Sequence, residues 1–202
     1  MIAADVFATK PTLQGDRAGL RPFTPEDITA MADILTDPEV LRLTGSVHST
    51  AEAKTEAGDK AGPLDPATRR WYETRADQKD RLDLAVIAAD SGACVGEVVL
   101  NEWSPGNGAC SFRILLGPEG RDRGIGSEAT RLLIDHAFQS TRINRIELEV
   151  YAFNPRARHV YEKAGFLFEG TKRAALEFDG EYVDADIMSI LRSDWLSGVN
   201  AR

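Results

Sequence analysis

Residues Gly117–Phe138 read GPEGRDRGIGSEATRLLIDHAF. Arg121 and Arg123 stand among the glycines at 120, 124 and 126, directly ahead of an apolar pattern whose spacing predicts a helix over Ser127–Gln139. A helix start leaves backbone N–H groups unpaired and carries partial positive charge, so it favours an anion. Gly124 and Gly126 have no side chain to obstruct that anion, the two arginines would add charge-assisted hydrogen bonds, and Ser127 adds a hydroxyl. The ligand implied is a phosphate group.

Ahead of this loop the chain reads as three short strands, LDLAVIAA, CVGEVVLNEW and ACSFRILLG, separated by the turn signals DSGA and SPGNG. Their tight connections imply an antiparallel meander. After the loop helix come the strand RIELEVYAF, a helix from Pro155 to Ala164, and the strands FLFEGTKRAALEF and YVDADIMSIL joined at Asp179-Gly180. Near the start, RPFTPEDITAMADIL predicts a strand and then a helix capped by Thr24, with Pro25 at the first helical position and Asp27 completing the cap. TDPEVLRLTG restarts a second short helix and PATRRWYETRADQ a further one, whereas residues 46–66 show weak periodicity and read as a mobile excursion. The class is α+β, a mixed central sheet with flanking helices.

A chain of 202 residues with 43% hydrophobic content can bury a full core as one domain. The net charge of -8 argues against a nucleic-acid partner and is compatible with a cationic one. No apolar run approaches the ~20 residues of a membrane span, and Met1–Lys10 lacks the plan of a signal peptide, so a cytoplasmic protein without a membrane partner is expected. Cys94 and Cys110 read as small buried hydrophobes, and His48, His136 and His159 have no ligand spacing, so no metal is expected. Monomer and homodimer both remain open.

Two nucleotide cofactors compete for the loop, because Gly124, Gly126 and Ala129 also satisfy the dinucleotide pattern GxGxxA, with Glu147 and Glu149 roughly twenty residues on. That pattern expects its first glycine immediately after a parallel strand, and here residues 117–123 intervene. The sequence instead resembles the GNAT superfamily of N-acetyltransferases. The family's cofactor signature stands as Arg121, Gly124 and Gly126, and a second block, NPRARHVYEKAGF, supplies Asn154, Tyr161, Lys163, Gly165 and Phe166 in family order and spacing. The ends LRPFTPED and DGEYVDADIMSILRSDW resemble the ribosomal-protein alanine acetyltransferase branch. The resemblance implies a single GNAT domain over residues 17–195, an N-terminal extension at 1–16 and a tail at 196–202.

It also implies acetyl-CoA as cosubstrate, bound by Arg121, Asp122, Arg123, Gly124, Ile125, Gly126 and Ser127 at the pyrophosphate. Ile114, Leu115 and Leu116 would bind the pantetheine arm, with Asn154 and Arg158 as further contacts. An amine then attacks the thioester directly. Tyr161 is the candidate general acid for the departing thiolate. Relatives carry a glutamate where Ser111 stands here, so the base falls to Glu97 or Glu102 on the preceding strand. Glu97, set in an apolar run, is the choice. A protein α-amine of pKa near 7.7–8.0 costs about 1–1.4 kcal/mol to neutralise at pH 7, and a lysine about 4.6 kcal/mol, so a weak base suits the former. That favours a primary amine of low pKa, a protein N-terminal α-amine or another, in agreement with the branch resemblance. A polyamine or antibiotic amine is the alternative, and a non-catalytic acyl-CoA-binding regulator or a nicotinamide-dependent oxidoreductase the rival class.

Overall fold

Eight strands build one sheet in the order β1-β2-β3-β4-β5-β6-β8-β7. They are β1 (Leu13–Gln14), β2 (Ala18–Arg21), β3 (Leu82–Ala88), β4 (Cys94–Ser104), β5 (Ala109–Leu116), β6 (Arg145–Tyr151), β7 (Leu167–Phe178) and β8 (Glu181–Leu191). The computed structural model describes residues 6–59 and 62–200; parts of the expected N-terminal extension, excursion and tail lie outside them. Neighbouring strands are antiparallel except β5 and β6, which run parallel. A parallel neighbour requires a crossover, and helix α5 (Ile125–Ser140) supplies it.

The meander β3-β4-β5 appears where the alternating runs predict it. Its even positions, Leu82, Leu84, Val86, Val98, Leu100, Cys110 and Phe112, join the apolar face of α5 through Ala129, Leu133, Ala137 and Phe138 in the principal core. The opposite face is covered by helices α1 (Pro25–Leu35), α2 (Pro38–Leu43) and α4 (Pro66–Thr74), while α3 (Thr50–Asp59) meets β7 through Ala53. Ile28, Met31, Ile34, Val40 and Tyr72 pack there as a second cluster. Thr24 and Asp27 form the expected reciprocal cap, Thr24 N–H donating to Asp27 Oδ2 at 2.7 Å. Asp37 caps α2 by accepting from Val40 N–H at 2.9 Å. Two further helices, α6 (Pro155–Ala164) and α7 (Arg192–Asn200), complete the fold.

Two expectations are corrected. Residues 50–59 of the supposed excursion are helical, because the turn between β7 and β8 caps them: Asp179 accepts from Thr50 N–H at 2.8 Å and from Thr50 Oγ1 at 2.7 Å. Among the described residues of α3 only Ala53 is buried, together with Val47, against Leu176 and Phe178, which explains the faint periodicity. Part of the N-terminal extension also belongs to the domain, since Leu13 and Gln14 pair with β2 and Phe7 is buried against Trp103. No helix of the described residues is long and apolar enough to cross a membrane.

Gly96 fixes how closely β4 and β5 approach, because a Cβ there would stand 2.1 Å from the Leu115 carbonyl oxygen. Gly96→Ala should therefore lower stability by about 1–3 kcal/mol, read as a fall in Tm of about 2–4 °C per kcal/mol. An unchanged Tm would show that the strands do not pack this tightly.

Candidate active site

β5 and β6 pair at Ala109↔Arg145, Cys110↔Ile146 and Ser111↔Glu147, and then part. Beyond that point β4 is the only strand paired with β5 among the described residues, so the other edge of β5 borders a cleft of about 1000 Å³. Ile114, Leu115 and Leu116 line one wall and Leu148, Val150 and Tyr151 the other.

The wide end of the cleft is formed by the glycine-rich turn. Asp122 and Gly124 both adopt the left-handed conformation, with φ of 57° and 77°, and such alternation curls successive N–H groups toward a common point. Gly124 is the N-cap of α5 and makes no side-chain cap bond, leaving the first helical amides for a ligand. The positive φ is what calls for glycine at 124, since the nearest atom to a Cβ there is the mobile end of Arg17.

The expected contacts divide into two groups. Arg121, Asp122, Gly124, Gly126, Ser127 and Asn154 border the cleft, Asn154 also capping α6 by accepting from Ala157 N–H at 3.1 Å. Arg121 is anchored by donating from Nε to the Leu116 carbonyl at 3.0 Å, and it pairs with Glu39 at 2.6 Å and with Asp37. The remaining residues point elsewhere. Arg123 turns outward to Asp90 and the Glu119 carbonyl, Arg158 pairs with Asp186 and Glu162, and the Ile125 side chain is buried in the core. Arg156 was not singled out from the sequence. It occupies the position in α6 that faces the turn, pairing with Asp122 and Glu39 at 3.2 Å each. Helical spacing in NPRARHVYEKAGF carried the signal, since 156, 160 and 163 share a face and 158 does not.

Tyr161 lines the inner part of the cleft and is only 7% exposed, its ring meeting Phe112 and Phe166 edge-on or tilted at 6.0 Å. Burial pushes its phenol pKa up, so the hydroxyl stays protonated through neutral and moderately alkaline pH. Among the described residues no hydrogen bond engages that hydroxyl, and Tyr161 borders the cleft.

Glu97 requires a correction. It is 5% exposed, does not border the cleft, and accepts from Arg75 Nη1 at 2.5 Å and from Tyr72 Oη at 3.0 Å. Arg75 also pairs with buried Asp83 at 3.2 Å. Burial alone would lower the Arg75 pKa, yet Glu97 and Asp83 hold it above its ordinary value. The same burial and the Glu97 charge push the Tyr72 phenol up. Glu97 thus closes a buried ionic cluster and has no route to an acceptor amine. Glu102 is the carboxylate of β4 that reaches the cleft, where it accepts from Ser111 Oγ at 2.6 Å. The two thiols are inert, burial raising Cys94 to about 11 and Cys110 to about 12.

A strand pair opens beside an amide-lined turn, with a phenol on the inner wall, and the three form one cleft with room for an extended anionic ligand. Residues 17–167 match the acetyltransferase (GNAT) domain, and the chain belongs to this family of N-acetyltransferases, whose cosubstrate is acetyl-CoA. It is similar to L-amino acid N-acetyltransferase AaaT of Escherichia coli, 32% identical over 61% of this chain and 76% of that protein. It is also similar to "Putative ribosomal N-acetyltransferase YdaF" of Bacillus subtilis, 26% identical over 87% of this chain and 92% of that protein. In fold it matches the crystal structure of spermidine N-acetyltransferase from Vibrio cholerae in complex with CoA and spermine, with a TM-score of 0.73 and 21% identity over 90% of this chain and 99% of that one.

Arg156→Ala should weaken CoA binding by about tenfold, the loss of one charge-assisted hydrogen bond, while Arg123→Ala leaves the Kd within about twofold. Calorimetry that reversed this order would show that the turn holds its ligand differently. Glu97→Gln, which removes one of the two carboxylates paired with Arg75 and leaves Asp83 in place, should cost about 3 kcal/mol of stability, the low end for a broken buried pair. In the folded variant the Kd for CoA should match wild type. Loss of CoA affinity without loss of Tm would return Glu97 to the site.

Proposed function

We propose that the protein transfers the acetyl group of acetyl-CoA to a primary amine by direct attack, and that the acceptor is the N-terminal α-amine of a protein. The observation that carries this reading is one continuous cleft joining an anion-receiving turn, an unpaired strand edge and a protonated phenol. The amides from Gly124 to Ser127, flanked by Arg121 and Arg156, would hold the pyrophosphate, and the free edge of β5 at Ile114–Leu116 the pantetheine arm. Bound there, acetyl-CoA supplies the activated acyl group. A backbone N–H of β5 directed at the thioester oxygen would stabilise the charge that develops on it.

Tyr161 is proposed to protonate the departing sulfur. The dry surroundings that raise its pKa keep its proton in place until transfer, and they also make a thiolate formed beside it more basic. The α-amine reading draws on the similarity to YdaF, which spans nearly the whole chain, and on the small cost of neutralising such an amine. A specific observation supports a polyamine as the second reading: Glu102 borders the cleft with no cationic partner among the described residues, and several relatives are named spermidine acetyltransferases.

Release of CoA should be followed with acetyl-CoA and three acceptors: a peptide with a free N-terminal alanine, an Nα-blocked lysine peptide and spermidine. The α-amine reading expects the first to exceed the others at least tenfold in kcat/KM. Preference for spermidine selects the second reading, and no release with any amine overturns both. Tyr161→Phe should lower kcat about 10²–10⁴-fold with the Kd for CoA within about twofold. Equal turnover would remove the acid role.

A further inference from the structure

Resting on the amine-acetyltransferase reading above, we infer that Glu102 is the catalytic base, receiving the acceptor ammonium and taking its proton, and that Ser111 positions its carboxylate. Between the pairs Asn101↔Ser111 and Ser104↔Ala109, Glu102 and Trp103 of β4 both stand opposite Cys110 of β5. This is a β-bulge, a device that re-aims side chains. Strict alternation would send residue 102 into the core with Val98 and Leu100. Instead Trp103 packs on that core, and Glu102 is turned to the cleft face.

The backbone at Glu102 makes the choice of residue informative. Its φ is 54°, in the left-handed region where this kind of bulge ordinarily places glycine. A glutamate at a position that disfavours side chains points to a use for the side chain, and local strain of this sort collects at functional sites.

Its surroundings suit a cation that arrives from outside. Of the three glutamates bordering the cleft, Glu147 is neutralised by Arg145 at 2.8 Å and Glu149 by Lys172 at 2.5 Å. Glu102 has no cationic partner among the described residues. Its one bond, from Ser111 Oγ at 2.6 Å, fixes Oε2. Ser111 is also the last β5 residue paired with β6, so this carboxylate stands at the vertex from which the cleft opens.

The proton balance closes without any further reactant. An R–NH₃⁺ acceptor gives one proton to Glu102, and the resulting amine nitrogen bonds to the acetyl carbon. The carbon–sulfur bond then breaks, and Tyr161 donates its proton to the sulfur. The second nitrogen proton returns through water to the tyrosinate, and Glu102 releases its proton to solvent. The products are R–NH–acetyl, CoA–SH and one H⁺.

The test measures kcat/KM against pH for wild type, Glu102→Gln, Glu102→Gly and Ser111→Ala, using the alanine peptide or spermidine, whichever wild type turns over. Glu102→Gln should lose about 10²–10⁴-fold near pH 7. Its kcat/KM should climb tenfold per pH unit until the acceptor deprotonates in solution, where wild type stays level. Glu102→Gly should show the same profile with a Tm no lower than wild type, since glycine relieves the left-handed strain. Ser111→Ala should lose less and keep the wild-type profile, and all variants should bind CoA within about twofold. A Glu102→Gln enzyme with wild-type rate and profile overturns the inference alone, as does a loss accompanied by lower Tm and weaker CoA binding in both Glu102 variants. A wild type that acetylates neither amine overturns the underlying reading, and this inference with it.

Discussion

Everything at the site depends on a parallel contact that is not completed. Parallel strands need a crossover, and α5 must begin at the far end of β5 to return the chain alongside it. The two strands are joined only where Ala109–Ser111 meets Arg145–Glu147, so they diverge toward the end where the crossover begins. The same geometry that opens the wedge therefore sets the first amides of α5 at its mouth. Gly124 and Asp122, both left-handed, shape the entrance. Tyr161 comes from the next helix, whose own cap, Asn154, also borders the wedge.

The two carboxylates of β4 show how strand geometry separates structural from chemical roles. Glu97 obeys the alternation of β4 and meets Arg75, Tyr72 and, through Arg75, Asp83 under the helices of the second face. Charges taken out of water this completely persist only when each is matched, which is why the cluster is closed to any visitor. Glu102 lies where the alternation is broken. Cleft access, a single hydroxyl donor and an unmatched charge follow from that break.

The fold was largely legible because its signals were local: alternating runs for β3 to β5, Thr24 as a cap, and glycines ahead of α5. The glycine-rich turn at the cleft was readable for the same reason, since a run of neighbouring residues builds it. The rest depended on contacts distant in sequence. That Arg123 leaves for Asp90, or that Thr50 is held by Asp179, cannot be seen in the residues beside them. Choosing Glu97 over Glu102 followed from treating an isolated charge in an apolar run as the unusual one. Its partners, Tyr72 and Arg75, lie on a separate segment, and the bulge that exposes Glu102 has no glycine to announce it.

The entrance to the wedge also bears on how an anion finds it. Arg121 and Arg156 are met there by Asp37, Glu39 and Asp122, so the rim presents more carboxylates than guanidiniums before a ligand arrives. Such a rim projects no positive field far into solution, and the overall charge of -8 opposes an approaching polyphosphate. On the proposed reading, capture depends on short-range exchange, each phosphate oxygen displacing a side-chain oxygen already in place. Raising ionic strength would screen the repulsion, so the encounter rate would rise with salt, opposite to the behaviour of a basic groove.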